Sequence, residues 1–417
     1  MINLAGLNKV TLNADKTQAT IGGGSTVRDT IDNAYAAGAL VLTGNCNCVG
    51  ALGAVLGGGY GNLMGEHGFG VDNVLSLRVV TADGQLRNVT AVSGRDLFWA
   101  LRGAGPNFGI VTSATIKSYP ASEEDMQAWM GNLVYGEHQL EAVVQAIQDL
   151  VLAPDMVVFL YFLADPTTGT PSVIVAPFLH RGNATTGRAA FASLYAIGPV
   201  ADTTSVRPYN KWNYASATLC TRGSFKPGWG AGFQNMVPAT WRGIWDAYVA
   251  FQKLPGAENS GVLLEAYSLA KARSVAPDSS AFPNRNVNFN AFAIPWYNDS
   301  SLDAQPATFG IATRDLLRST SGLPHNQTYV LFKPLTFGGD GGFLSTLVSV
   351  ADFELVISIS GMVTRIPKWC TATVYLGCCL SKSNMILRTY SINGLIFNKI
   401  CRGTNSPTRL ITTLISE

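Results

Sequence analysis

The sequence predicts an α+β fold organised in more than one domain. Short segments of alternating apolar and polar residues lie among amphipathic helical segments without strict strand–helix–strand repetition. Turn signals of the hairpin type separate neighbouring strands in the first part of the chain. In the second part, longer apolar strands alternate with longer helices, as in an antiparallel sheet carrying helices on one face.

Taken in order, Lys9–Asn13 and Gln18–Ile21 alternate like the two strands of a hairpin. Ser25 is placed to cap a helix starting at Thr26, and Gly38 to end it. Leu77–Thr81 and Gln85–Thr90 pair around Asp83 and Gly84, a strong short hairpin signal. Ser93 caps a helix running through Leu101 and closed by Gly103, and Phe108–Tyr119 is a strand stopped by Pro120. Beyond it, Leu140–Leu152 is an amphipathic helix, and Met156–Ala164 and Ser172–Leu179 are buried strands. Gly187–Ile197 and Thr240–Gln252 are helices, and Asn290–Trp296 is a strand.

The stretch from Gly44 to Gly61 is dense in glycine, contains Cys46 and Cys48, and has no charged side chain. Ordered glycine costs backbone entropy and is favoured where φ is positive or where a ligand approaches the main chain. The composition points to bare backbone against a large flat cofactor, with a cysteine as a covalent handle. It is not a P-loop, because no Gly-Lys-Ser/Thr follows. It is a poor dinucleotide fingerprint, because Asn62 stands where a third glycine would be needed after Gly57–Gly59. Cys46 and Cys48 are too close together, and too far from other Cys or His pairs, to read as a zinc site.

Read together with Gly68–Asn73, Val79–Gly84 and Asp96–Thr112, the stretch resembles the FAD-linked oxidases of the berberine-bridge-enzyme-like family, within the vanillyl-alcohol-oxidase superfamily. The resemblance implies a partial FAD-binding domain over residues 1–120 and a substrate domain over 121–349, the latter an antiparallel sheet with helices on one face. The family's Gly-x-Cys-x-x-Val-Gly element falls on Gly44, Cys46, Val49 and Gly50. In many members that cysteine bonds C6 of the flavin, so Cys46 is its counterpart; the bland alternative is a small buried hydrophobe. Gly53, Gly58, Gly59 and Gly61 continue the cofactor wall, and Gly109, Ile110 and Val111 match a strand beside the flavin. No Lys or Arg other than Arg28 lies within the twenty residues before Cys46, so activation of its thiol must come from the fold or the flavin.

Departures from the family pattern shape the expectations. The family places a histidine-bearing loop around the FAD pyrophosphate well before the cysteine, whereas Met1–Leu4 correspond to a segment downstream of it. The expectation is a flavin domain lacking its first subdomain, with His67 a solvated or capped loop residue rather than a substitute. From Leu355 to Ser416 there is no Asp or Glu, yet four of the seven cysteines lie there, so residues 350–417 are expected to be an aberrant, loosely packed tail, possible only as mistranslated sequence or a divergent real one. Phe282–Arg285 and Asn288 resemble the family's Phe-Pro-His-Arg element and its following Asn. The plant-type base position then falls on Ala293, which cannot take a proton. Glu265 and Tyr267, on an apolar run, are the nearest candidates for a base, and no catalytic residue is assigned.

Composition sets limits. The formal net charge is +2, with 29 Lys and Arg against 27 Asp and Glu, which offers no basic footprint for nucleic acid. No apolar run is long enough for a membrane-spanning helix. Asn88, Asn183, Asn298 and Asn326 open glycosylation sequons, and a secreted location is expected of an intact relative, although no signal peptide is present. The odd cysteine count shows no paired spacing and predicts no disulfide framework. The expected activity is FAD-dependent oxidation of an alcohol, carbohydrate or secondary metabolite, with O2 reoxidising the flavin. Two alternatives stand beside it. One is an inactive remnant without FAD; the other is a sugar-binding module using Trp229, Trp241 and Trp245.

Overall fold

The structure, a computed structural model, describes residues 2–323 except 166, 215–219 and 222, together with the backbone of four strands farther along the chain. The first half is built on Val10–Leu12 (β1), Gln18–Gly22 (β2), Ala39–Val41 (β3), Val74–Val80 (β4), Leu86–Thr90 (β5) and Ile110–Pro120 (β6). They form an antiparallel sheet in the order β1-β2-β6-β4-β5, with β3 paired to the far end of β6. Val27–Ala37 (α1), Ala51–Leu56 (α2), Met64–His67 (α3) and Arg95–Ala104 (α4) accompany it.

The predicted hairpins are present. Val10 pairs with Ile21, and Val80 with Leu86 around a turn in which Gly84 has φ 77°. Helix α1 starts one residue later than expected. Thr26, not Ser25, accepts from the Asp29 amide while the Asp29 carboxylate accepts from the Thr26 amide, a reciprocal capping box. Ser25 is fully buried, and its carbonyl holds the Ala51 amide instead. Gly94, in the left-handed region, rather than Ser93, precedes α4.

The second half carries a larger antiparallel sheet. Its strands are Gln127–Met130 (β7), Leu133–Tyr135 (β8), Met156–Ala164 (β9), Pro171–His180 (β10), Ala201–Asp202 (β11), Ser205–Pro208 (β12), Trp229–Phe233 (β13), Gly261–Tyr267 (β14) and Phe289–Ile294 (β15). The order is β11-β8-β10-β9-β14-β15-β13, with β7 also paired to β10 and β12 to β7. The helices are Leu140–Asp149 (α5), Ala184–Ala190 (α6), Ala192–Ile197 (α7), Pro238–Gln252 (α8), Ala270–Arg273 (α9) and Ala304–Ser319 (α10). The single helix expected over Gly187–Ile197 is broken at Phe191 (φ −111°, ψ 30°), whose buried ring stacks on Trp129.

Strand alternation divides this sheet's two faces. Val158, Leu160, Phe162, Val262, Leu264, Ala266, Phe289, Ala291 and Ala293 pack in one core with α5, α8 and α10. Val157, Phe159, Leu263 and Tyr267 share the other core with the first half of the chain, and Tyr161, Phe292 and Ile294 pack against it. The two halves therefore meet across one face of the larger sheet. Trp241 and Trp245 are 1% exposed and Trp229 8%, so the aromatic platform considered for sugar binding is core. The side chains of residues 350–417, and with them the expectation of a loosely packed tail, lie outside the described residues. The described backbone there forms two antiparallel strand pairs, Val356–Ile359 with Met362–Arg365 and Met385–Ile392 with Leu395–Arg402.

Candidate functional site

The segment leaving β3 runs across the interface between the halves. It is pinned by backbone bonds from the Val27 amide to the Val49 carbonyl (2.9 Å) and from the Arg28 amide to the Asn47 carbonyl (3.1 Å). Residues 43–50 are all half-buried. Asn213 of the second half donates to the Gly44 carbonyl at 3.1 Å. Asn45 joins both halves: its Oδ1 accepts from the Asn62 amide (3.3 Å), and its Nδ2 donates to the Tyr267 hydroxyl (2.7 Å). Tyr267 in turn donates to Glu265 Oε2 at 3.0 Å.

This chain of contacts exists because Glu265 and Tyr267 are two apart on β14 and so share the face turned toward the first half. Burial pushes the Glu265 carboxyl up to about 7, with the Tyr267 hydrogen bond acting the other way. Burial and the neighbouring Glu265 raise the Tyr267 hydroxyl well above its ordinary value. Glu265 is thus a carboxyl set to exchange a proton near neutrality, which suits a general base. Beside it a cavity of about 290 Å³ is lined by Asn45, Asn62, Phe159, Tyr161, Phe178 and Trp212, with the exposed Arg207 and Lys211 also on its wall.

The β15 register shows which face carries the base position inferred from sequence. Ala293 faces the helix core and is fully buried there. A slip of one residue exchanges the faces of a strand. The β15 residues on the face turned to the first half are its alternates, Phe292 and Asn290, and Asn290 pairs directly with Glu265.

The glycines of the predicted wall divide into two groups. Four have a packing reason within the protein. A Cβ at Gly58 (φ 130°) would meet the Phe282 ring, and one at Gly59 (φ 80°) would meet the Gly70 backbone. One at Gly61 would strike the Thr43 carbonyl, and one at Gly109 (φ 145°) the Val80 carbonyl. Gly44 and Gly50 differ: nothing lies within 4 Å of a Cβ at Gly50, and the nearest atom at Gly44 is 3.9 Å away. Gly53 lies within α2, Val49 holds the α1 amide described above, and Ile110 and Val111 pair with Val80 and Val79 of β4.

Cys46 is half-buried, and its Sγ lies 3.5 Å from that of Cys48 and 3.8 Å from that of Cys220. Cys48 and Cys220 form a disulfide with a Cα separation of 5.7 Å, tying the segment to the second half. Their separation of 172 residues explains why no pairing was visible in the cysteine spacing. His67 is not a solvated loop residue. It ends α3 and stacks on Tyr119 with ring centroids 3.6 Å apart, and burial lowers its pKa to about 4.

The residues present fit a flat, polar-edged cofactor. The strip at Gly44 and Gly50 is bare without any packing need for glycine. Asn62, 8% exposed on the cavity wall, keeps a buried Oδ1 with no partner among the described residues.

Residues 1–90 match the FAD binding domain family. FAD-linked oxidoreductase azaL of Aspergillus niger is 30% identical over 353 residues, spanning 81% of this chain and 74% of that protein. The chain belongs to the FAD-linked oxidoreductases. Two solved structures share the fold of this oxidoreductase. The xylooligosaccharide oxidase of Myceliophthora thermophila is 19% identical with a TM-score of 0.63, covering 79% of this chain and 72% of its own. Berberine bridge enzyme from Eschscholzia californica is 19% identical with a TM-score of 0.64, covering 76% and 66%. FAD is accordingly the cofactor of this oxidoreductase, and the alternative of an inactive remnant finds no support in these relatives. Among the described residues no helix is long and apolar enough to cross a membrane.

Proposed function

We propose that the oxidoreductase oxidises a hydroxyl-bearing carbon of a small aromatic molecule, with Glu265 accepting the hydroxyl proton. The observation that carries this is the Asn45–Tyr267–Glu265 chain, which brings a carboxyl poised near neutrality to the interface that holds the glycine strip. Bound FAD would supply the hydride acceptor, with O2 as the proposed final oxidant.

The chain's own residues do the rest. Tyr267 donates to the Glu265 carboxylate and favours its charged, proton-accepting form. Asn45 fixes the Tyr267 hydroxyl, and with it the carboxylate's orientation. Phe159, Tyr161, Phe178 and Trp212 give the cavity apolar aromatic walls that exclude water and suit an aromatic ring. Gly44, Asn45, Gly50 and Asn62 would hold the flavin edge, and Cys46 would be its covalent attachment.

The cavity volume of about 290 Å³ suits one or two rings better than an oligosaccharide. The Cys48–Cys220 disulfide, with the sequons, supports a secreted location. The test is peroxide release from FAD-loaded protein offered benzylic and bicyclic aryl alcohols beside xylo-oligosaccharides. Turnover of the aryl alcohols is expected. Turnover confined to the oligosaccharides would refute the substrate assignment.

A further inference from the structure

Three sulfur atoms meet at the junction of the two halves, and oxidation of an alcohol has no need of all of them. The Cys46 sulfur is in contact with both members of the Cys48–Cys220 disulfide, at 3.5 and 3.8 Å. A thiolate beside a disulfide is the starting arrangement for exchange: it attacks one sulfur while the other departs. We propose that Cys46, Cys48 and Cys220 form a thiol–disulfide exchange site, in which the bond to Cys220 passes between Cys48 and Cys46.

In the exchange, the Cys46 thiolate forms a bond to Cys220 Sγ as the Cys48–Cys220 bond breaks. Cys48 leaves as a thiolate and takes up the proton that Cys46 lost. One disulfide and one thiol are present before and after, so no oxidant or reductant is consumed. Attack needs the entering and leaving sulfurs in line, whereas the three now form a triangle, so the Cys46 side chain must turn about its Cα–Cβ bond. Attack at Cys220 rather than Cys48 is favoured because a Cys46–Cys48 bond would close a small ring across the single residue Asn47.

Lys226 supports the thiolate. Burial lowers its pKa, while its attraction to the Cys46 sulfur opposes that shift, and the same attraction favours a charged Cys46. The fold thus brings in from the second half the cation that the sequence around Cys46 lacks. Both isomers tie the segment to Cys220. They differ in which thiol is left over, and only the Cys48–Cys220 isomer leaves Cys46 able to bond a cofactor. The inference stands on the three sulfurs and not on Glu265, so it survives failure of the proposed oxidation.

The test is disulfide mapping of the full chain, prepared free of flavin and without added reductant, held at about pH 8 and quenched in acid to freeze exchange. Trypsin releases Cys220 within Trp212–Arg222, and fragmentation between Cys46 and Cys48 identifies its partner. Both isomers are expected, within about tenfold of each other, because the two bonds close loops of almost equal length. Cys46→Ser should leave only Cys48–Cys220, and Cys48→Ser should link Cys220 to Cys46. Wild-type protein holding Cys48–Cys220 alone after incubation overturns the proposal, whether or not the variants fold.

Discussion

Replacing Tyr267 by Phe removes one hydroxyl and two hydrogen bonds, the 2.7 Å one accepted from Asn45 Nδ2 and the 3.0 Å one donated to Glu265 Oε2. The bond to Glu265 favours the ionised carboxylate and opposes the burial that holds the Glu265 pKa up at about 7. A hydrogen bond to a charged group contributes about 1.5–3 kcal/mol, or about one to two pH units. Without it the carboxyl should titrate near pH 8 to 9, on the order of one to two units above the native value of about 7. A base works only when ionised, so the wild-type rate should rise as pH passes through about 7. At pH 7 about half of the native Glu265 is ionised, against roughly one-tenth to one-hundredth in the variant, a loss of about 5- to 50-fold. The loss should vanish at higher pH, where both are ionised. The assay is the initial rate of peroxide formation with an aryl alcohol, from about pH 5 to about pH 10. A profile that stays in place, or moves toward acid, would refute the assignment of Glu265 as the titrating base.

Other consequences are testable with simpler measurements. Asp72→Asn should destabilise the protein by about 3–5 kcal/mol in denaturant titration, because it strips one partner from the buried bidentate pair with Arg285, at 2.7 and 2.9 Å. His67 has its folded pKa depressed to about 4, so its contribution is complete above its unfolded value of about 6.5 and is lost as pH falls toward 4. His67→Phe should flatten the fall in melting temperature across that window while keeping the stack on Tyr119. Cys46→Ala should abolish any flavin that stays with the protein through acid precipitation, and acid-stable flavin persisting in that variant would place the attachment elsewhere.

Much of the fold was legible because it rests on local periodicity. Met156–Ala164 is a strand with the predicted bounds, and Pro171–His180 and Pro238–Gln252 begin within two residues of expectation. The errors arose where tertiary contacts choose between adjacent residues. Ser25 and Thr26 are both good caps, and burial of Ser25 decides for Thr26. The position counted from a motif, Ala293, lies in the helix core, and on a strand its immediate neighbours face the other way.

The site was legible only as composition. A run of glycines looks uniform in sequence, yet Gly59 and Gly61 answer to neighbouring backbone while Gly50 answers to no described neighbour. Glu265 was visible as a carboxylate on an apolar run. Its bond to Tyr267 is local to one strand, but the tie from Tyr267 to Asn45 spans 222 residues. The Cys48–Cys220 bond, closing a loop of 172, lies equally beyond any local signal.

Anaerobic mixing of FAD-loaded protein with an aryl alcohol, followed by loss of the flavin band near 450 nm, tests most directly whether Glu265 drives the oxidation. In the wild-type protein the band should bleach, faster above neutral pH than below it. Glu265→Gln should retain the band, since the side chain binds no part of the glycine strip, and should bleach about 10²- to 10⁴-fold more slowly above neutral pH, with the gap narrowing as pH falls and the wild-type carboxyl protonates. A Glu265→Gln protein that holds FAD and bleaches as fast as wild type would contradict the assignment.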